Sequence, residues 1–313
     1  MYIGIDLGGT GIKAGLVNED GRILYKTSCP TRAAEGCSAI AEDMGKLVDT
    51  ILKETNTNKA DVKSIGIGVP GAVDNNKGEV IYTANINMKN APLVAELKKH
   101  CDFPVFLGND ANCAALGEYF ALNNPDITNL IAVTLGTGVG GGIILDGKIF
   151  TGSNAIAGEI GHMIIDIDGE KCGCGAKGCW EAYASATALI RDTKRAAEKN
   201  PDSILAKIIK EDGKVGGITP FKAKEMGDET GTKVVENYIK YIAIGIINII
   251  NIFQPQSIVI GGGVSKQGDN LVVPLKKYVE KYAYGADFAK IAEISTAKLG
   301  NDAGLVGAAF LGK

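Results

Sequence analysis

Four residues in one short stretch have the chemistry of a metal site. His162, Cys172, Cys174 and Cys179 are spaced H-x9-C-x-C-x4-C, one imidazole and three thiolates, the ligand set of a closed tetrahedral zinc site. Glycines at 173, 175 and 178 let so short a loop wrap around one ion. With four protein ligands no open coordination position is left, so the expected zinc is structural, and its loop acts through its flanks, Glu159 and Glu181. A second candidate is Asp110 in GNDAN, directly after the apolar run PVFL, where a strand gives way to a helix. An aspartate there can simply cap the helix. At a strand end facing a ligand it can instead accept the proton of a hydroxyl that attacks a phosphoryl group.

Two glycine-rich stretches supply the phosphate partner such chemistry needs. DLGGTG (Asp6–Gly11) and TLGTGVGGG (Thr134–Gly142) each lie between apolar strands. Backbone N–H groups of such turns can approach phosphate oxygens, and Thr10 and Thr137 add hydroxyl donors. The alternative is a plain tight hairpin; two such turns in corresponding places favour phosphate. Asp6, at the mouth of the first, is suited to hold a hydrated Mg²⁺. Gly136, Gly138 and Gly141, like Gly66, Gly68 and Gly71, fit G-x-G-x-x-G. The first set precedes a strand and the second contains Pro70, so neither opens a dinucleotide-binding helix. No G-x-x-x-x-G-K-[ST] sequence occurs, which excludes a P-loop enzyme.

These residues need a frame, and the frame is written twice. LGNDA at Leu107–Ala111 returns at Leu299–Ala303, Ile5–Leu24 resembles Val133–Phe150, and Ser64–Val73 resembles Ser257–Ser265. Order is kept, with extra material, including the cysteine cluster, between Thr134 and Ser257. Each half reads as strand, glycine-rich turn, strand, turn, strand, helix, strand, helix, strand, helix. Helical spacing covers Cys37–Lys53, Leu93–His100, Asp110–Ala121, Lys233–Phe253 and Asp269–Tyr282, and Pro255 ends the fourth. Strands interleaved with helices predict two α/β domains around a cleft. Ligands of such sheets sit beyond the carboxyl ends of the strands. The expected domains are 1–118 with 303–313, and 119–302.

Composition removes other classes. A chain of 313 residues, 45% hydrophobic, can bury a large core, and its net charge of −3 gives no basic stripe for a nucleic acid. No basic n-region or A-x-A site precedes the first strand, so a signal peptide is not expected. The most apolar run, Tyr241–Phe253, holds Asn248 and Asn251 and is too short and polar to span a bilayer. A cytoplasmic location follows, in which clustered cysteines point to metal before disulfide. Cys29, Cys37, Cys101 and Cys113 read as ordinary buried thiols, and His100 as a residue at a helix C-terminus.

DLGGTGIKAG, VPGAVD, GNDANCAALGE, TLGTGVGGG, GEIGH and CGCGAKGCWE, in this order over nearly the whole chain, resemble the ROK (repressor, ORF, kinase) family, within the sugar kinase, hsp70 and actin superfamily. Its bacterial ATP-dependent glucokinases are the nearest match. The resemblance implies a duplicated actin-like, ribonuclease-H-like ATPase fold with a zinc-binding insertion in the second domain. It implies transfer of the γ-phosphate of MgATP to the 6-hydroxyl of a hexose, glucose first, with Asp110 as base. Gly71, Asn85, Asn109, Glu159, His162 and Glu181 would hold the sugar, His162 using one ring nitrogen for zinc and the other for the substrate. Asp6, Gly8, Gly9, Thr10, Lys13, Thr137 and Gly138 would meet the phosphates and their Mg²⁺, and Gly261, Gly262, Gly263 and Val264 the adenosine. Asp302, twin of Asp110, would cap the last helix, Ala303–Leu311.

One stretch departs from the glucokinase pattern: N-I-N-M-K-N (Asn85–Asn90) has Asn87 for Gly and Met88 for Trp. Because epimers differ by one hydroxyl, N-acetylmannosamine, N-acetylglucosamine, fructose and allose stay open as substrates. The family also contains sugar-responsive repressors, which carry a helix-turn-helix ahead of the first strand; here that strand begins at residue 2, so an enzyme is expected. The family implies a homodimer or higher homo-oligomer.

Overall fold

The N-terminal apolar run forms β1 (Tyr2–Leu7), buried at all but Asp6. It turns back through the glycine-rich stretch into β2 (Gly11–Val17) and then β3 (Ile23–Pro30). After helix α1 (Cys37–Glu54), β4 (Ile65–Val69) returns parallel to β1. A small antiparallel sheet of β5 (Gly71–Asp74), β6 (Glu79–Thr83) and β7 (Lys89–Ala91) follows, then α2 (Leu93–Leu97), β8 (Val105–Asn109) and α3 (Asp110–Leu122). The pattern then begins again with β9 (Leu130–Leu135), β10 (Val139–Leu145) and β11 (Lys148–Ile149). Five helices intervene: α4 (Glu181–Ala184), α5 (Ala186–Lys199), α6 (Ile204–Asp212), α7 (Thr219–Glu225) and α8 (Glu229–Phe253). The chain closes with β12 (Ser257–Gly261), α9 (Asp269–Tyr282), β13 (Glu293–Thr296) and α10 (Ala303–Ala309).

This computed structural model describes residues 1–313. The large sheets run β3-β2-β1-β4-β8 and β11-β10-β9-β12-β13, so in each the third, second, first, fourth and fifth strands lie side by side. In both, a hairpin joins the first two strands and helical crossovers carry the chain to the parallel ones, as parallel pairing requires. By internal contacts one unit is Met1–Thr128, Gly142–Gly158 and Lys298–Lys313, and the other is Asn129–Gly141 and Glu159–Ala297. The contact division keeps α3 whole, where the sequence expectation placed its boundary at 118. The buried Glu118 carboxylate accepts the N–H groups of Lys298 (2.7 Å) and Leu299 (2.8 Å), which ties the segment before α10 to α3. A Cβ on Gly307 would lie 1.6 Å from the Cys113 carbonyl oxygen; only glycine lets α10 sit this close to α3.

The helices foreseen at Cys37, Asp110 and Asp269 start at those residues. α2 is shorter than Leu93–His100, because its tail tightens into turns in which Lys99 and His100 donate to Glu96 and Leu97. His100 lies against Gly45 of α1. α8 begins ahead of Lys233 because the buried Asp228 caps it, accepting the Gly231 N–H at 2.8 Å. It ends at Gln254, whose φ of 46° leaves the helix just before Pro255. α4 to α7 had no counterpart in the periodicity reading. No helix is long and apolar enough to cross a membrane.

Candidate active site

In the first unit Asp6, Gly68 and Gly108 form one row across β1, β4 and β8. At the ordinary strand spacing the outer two are about 10 Å apart. The row lies at the carboxyl ends of the three parallel strands, and Asp110 follows it at the first position of α3. Both carboxylates act on the wholly buried Cys113, whose thiol is pushed far up, by burial first and then by the charges of Asp110 and Asp6. The cap of α3 belongs to Asn109, not to Asp110. Asn109 has extended backbone (φ −64°, ψ 145°), and its Oδ1 accepts the N–H groups of Ala111 (2.9 Å) and Asn112 (3.1 Å). Asp110 Oδ1 also accepts from Ala111 N–H, at 2.9 Å. With the cap supplied next door, the helix does not require an aspartate at 110.

Asn109 Nδ2 donates to the Gly71 carbonyl at 3.0 Å. Gly71 has a φ of 153°, and a Cβ there would stand 2.1 Å from the Tyr82 carbonyl oxygen, so the residue must be glycine. The β1–β2 turn closes with Gly8 N–H donating to Gly11 O at 2.9 Å. A Cβ on Gly9 would lie 3.5 Å from that of Asn85, which puts this turn beside a residue assigned to the sugar. Lys13 reaches Asp6 at 3.6 Å. In the departing stretch Asn85 and Asn87 are exposed while Met88 is 3% exposed within the core, so Met88 packs and the two asparagines are among the groups available to a ligand.

The second unit gathers the other candidates. The β9–β10 turn holds Thr137 and Gly138, with Gly136 N–H donating to Gly138 O at 3.0 Å. Glu181, first residue of α4, accepts the Val139 N–H through Oε2 at 3.0 Å, and a Cβ on Gly138 would fall 2.2 Å from that oxygen. The turn at Ile160–His162 packs on the same strand, with Gly161 against the Val139 carbonyl. Gly262 backs onto Leu135 at the end of β9, which brings Gly261, Gly262, Gly263 and Val264 to the carboxyl ends of β9 and β12. Glu159 and His162 are exposed.

The ligand atoms of His162, Cys172, Cys174 and Cys179 all lie within 4.8 Å of one another. His162 Nδ1 is 3.8 Å from Cys172 Sγ, and the sulfurs of Cys174 and Cys179 are 3.6 Å apart. Tetrahedral thiolates about 2.3 Å from a zinc ion stand about 3.8 Å from one another, so the cluster fits one ion. Burial pushes the Cys172 thiol up to about 12, a cost that a bound cation would remove. The loop is fixed at several points. Tyr183 Oη accepts the Glu170 N–H at 2.8 Å and donates to Asp166 at 3.1 Å. Trp180, wholly buried, donates from Nε1 to the Tyr241 carbonyl at 2.7 Å. Cys172 Sγ reaches Glu181 Oε1 at 3.4 Å, so one carboxylate links the cysteine cluster to the glycine-rich turn.

Two participants escaped the sequence reading. Ala186 N–H, at the start of α5, donates to Gly136 O at 2.8 Å, and Thr187 Oγ1 donates to Thr137 O at 2.7 Å. They place the N-terminal end of α5 against the turn, where its dipole favours an anion. The signal was Ser185, which accepts the Ala188 N–H as N-cap. Asp302 makes no cap bond to α10, against expectation. It adopts helical backbone and accepts two hydrogen bonds from Lys26 Nζ, at 2.7 and 2.9 Å.

The family model described as ROK family matches residues 2–313. The chain is 38% identical over 313 residues to a glucokinase of Halalkalibacterium halodurans, covering 100% of this chain and 94% of that one. It is 34% identical over 318 residues to a glucokinase of Streptomyces coelicolor, covering 100% and 98%. Among solved structures, a ROK family glucokinase from Streptomyces griseus in complex with glucose and AMPPNP superposes with a TM-score of 0.78 at 35% identity, covering 99% of this chain and 98% of that one.

Proposed function

The chain belongs to the ROK family, and from that premise we propose that it is an ATP-dependent hexose kinase, most consistent with a glucokinase. The observation that carries the residue roles is the position of Asp110. It is a carboxylate at the carboxyl end of β8, relieved of capping by Asn109, in the unit that also presents Asp6 and the β1–β2 turn. In this reading the Asp110 carboxylate takes the proton of the sugar 6-hydroxyl as its oxygen bonds to the γ-phosphorus of ATP. The bond from that phosphorus to the bridging oxygen breaks, ADP leaves with the electron pair, and the product is hexose 6-phosphate.

Asn85, Asn109, Glu159, His162 and Glu181, with the Gly71 backbone, hold the sugar hydroxyls. Gly8, Gly9, Thr10, Lys13, Thr137 and Gly138 receive the phosphates, with Asp6 placed for the hydrated Mg²⁺ that neutralises them when bound. Gly261, Gly262, Gly263 and Val264 border the adenosine. The metal held by His162, Cys172, Cys174 and Cys179 is assigned as structural zinc, because four protein ligands close the coordination shell. His162 turns Nδ1 toward Cys172, which leaves Nε2 for a hydroxyl. The matching strand orders of the two large sheets support a duplicated, ribonuclease-H-like ancestry.

A coupled ADP-release assay over glucose, mannose, fructose, allose, N-acetylglucosamine and N-acetylmannosamine tests the assignment. The highest kcat/KM is expected for glucose. ATP turnover indifferent to every hexose would overturn the kinase reading, and a higher kcat/KM for another sugar would overturn only the choice of glucose.

A further inference from the structure

A cavity of about 1090 Å³ lies within the first unit, lined by parts of β5, β8, α3, the 147–155 segment and the C-terminal residues. Its size suits a ligand larger than one hexose. Of the residues assigned above to sugar or phosphate only Asn109 borders it; Asp110, Gly71 and Asn85 do not. Five asparagines from three segments line it, among them Asn75, Asn76, Asn109 and Asn112, with Tyr119 and Phe120 beside them.

The amides are not equally committed. Asn75 spends Oδ1 on the Leu107 N–H at 2.7 Å, and Asn109 is used by α3 and Gly71. Asn112 is 4% exposed, and its Oδ1 meets no protein donor. Buried side-chain oxygens are normally satisfied, and this one, on a residue that lines the cavity, lacks a donor from the protein. The charged groups argue against an anion. Asp74 is paired with Lys77 at 3.2 Å. Lys313 donates to the Glu19 carbonyl at 2.9 Å and lies over the Phe120 and Phe310 rings. Lys148, exposed at the edge, remains, too little to gather a phosphate. Amides that both donate and accept, with aromatic faces for C–H groups, suit a neutral molecule rich in hydroxyls.

We propose that this cavity is a second binding site, separate from the one that presents a hydroxyl to Asp110, and that it takes a neutral carbohydrate of about disaccharide size. The site does not depend on the kinase assignment. Because Asn109 both borders the cavity and caps the helix that begins with Asp110, an occupant alters turnover without excluding the hexose.

The probe is maltose, titrated calorimetrically into the full-length chain alone and with saturating glucose, with hexose turnover measured in parallel. One maltose per chain is expected in both titrations, with a partial, saturable, noncompetitive change in hexose turnover. Asn112→Leu and Asn76→Trp should each weaken maltose binding at least tenfold while kcat/KM for the hexose stays within threefold. Asn76 is exposed, so its variant keeps the test open if Asn112→Leu does not fold. Absence of maltose binding, its competitive displacement by glucose, unchanged binding in the folded variants, or binding of adenosine in its place would each overturn the proposal. Loss of hexose turnover with maltose binding intact would count against the kinase reading alone.

Discussion

At the scale of single residues, the telling comparison is between two copies of the same five letters. Leu107–Ala111 passes from β8 straight into α3, Asn109 extended and capping. In Leu299–Ala303, Gly300 has a φ of 56° and a 3₁₀ turn precedes α10. Local sequence is identical, so the difference comes from what surrounds each copy: Glu118 takes the Lys298 and Leu299 N–H groups, and Lys26 takes Asp302. Asp110→Asn should lower kcat about 10²–10⁴-fold with circular dichroism and melting temperature unchanged. Asp302→Asn should leave kcat alone. Its side chain and that of Lys26 are 33% and 46% exposed, and such a pair contributes about 0–1 kcal/mol, measurable by urea unfolding. Equal catalytic loss in both variants would remove Asp110 from the role of base.

Among the elements, the segment from Glu159 to Glu181 carries the cluster that could hold a metal and is anchored in α8 through Trp180. A Cβ on Gly245 would lie 2.0 Å from the Trp180 indole. Gly245→Ala should therefore destabilise the protein by about 1–3 kcal/mol through overpacking and hasten metal loss to a chelator, followed with a colorimetric zinc indicator. Metal analysis should find one zinc per chain. Its removal should depress kcat/KM for the hexose by about 10–100-fold, the range seen when metal-supporting contacts are lost. Thiol titration should then detect Cys172, Cys174 and Cys179 in addition to whatever reacts in the metal-loaded protein. If metal-free protein keeps full activity, the proposed roles of His162 and Glu181 in holding the sugar fail with it.

For the molecule as a whole, binding and stability are linked: a hexose at about 100 times its Kd should raise unfolding stability by about 2.7 kcal/mol, visible as an upward shift in melting temperature, whereas a sugar the protein does not bind should produce no shift. Much of this protein could be read without coordinates. The strand order shared by the two large sheets, the start of α3 at Asp110, and the gathering of His162, Cys172, Cys174 and Cys179 into a cluster that could hold a metal follow from short-range causes: apolar periodicity, glycine in tight turns, and the close spacing of thiols and imidazole. Other features depended on contacts between residues distant in sequence. That Asn109 caps and Asp110 need not, that Met88 turns into the core, that Asp302 pairs with Lys26, and that Glu181 joins Cys172 to the Val139 amide are outcomes of packing. Local pattern fixes which backbone a segment prefers and which groups it carries. Which hydrogen bond each group makes is settled only when the remaining donors and acceptors of the fold arrive beside it.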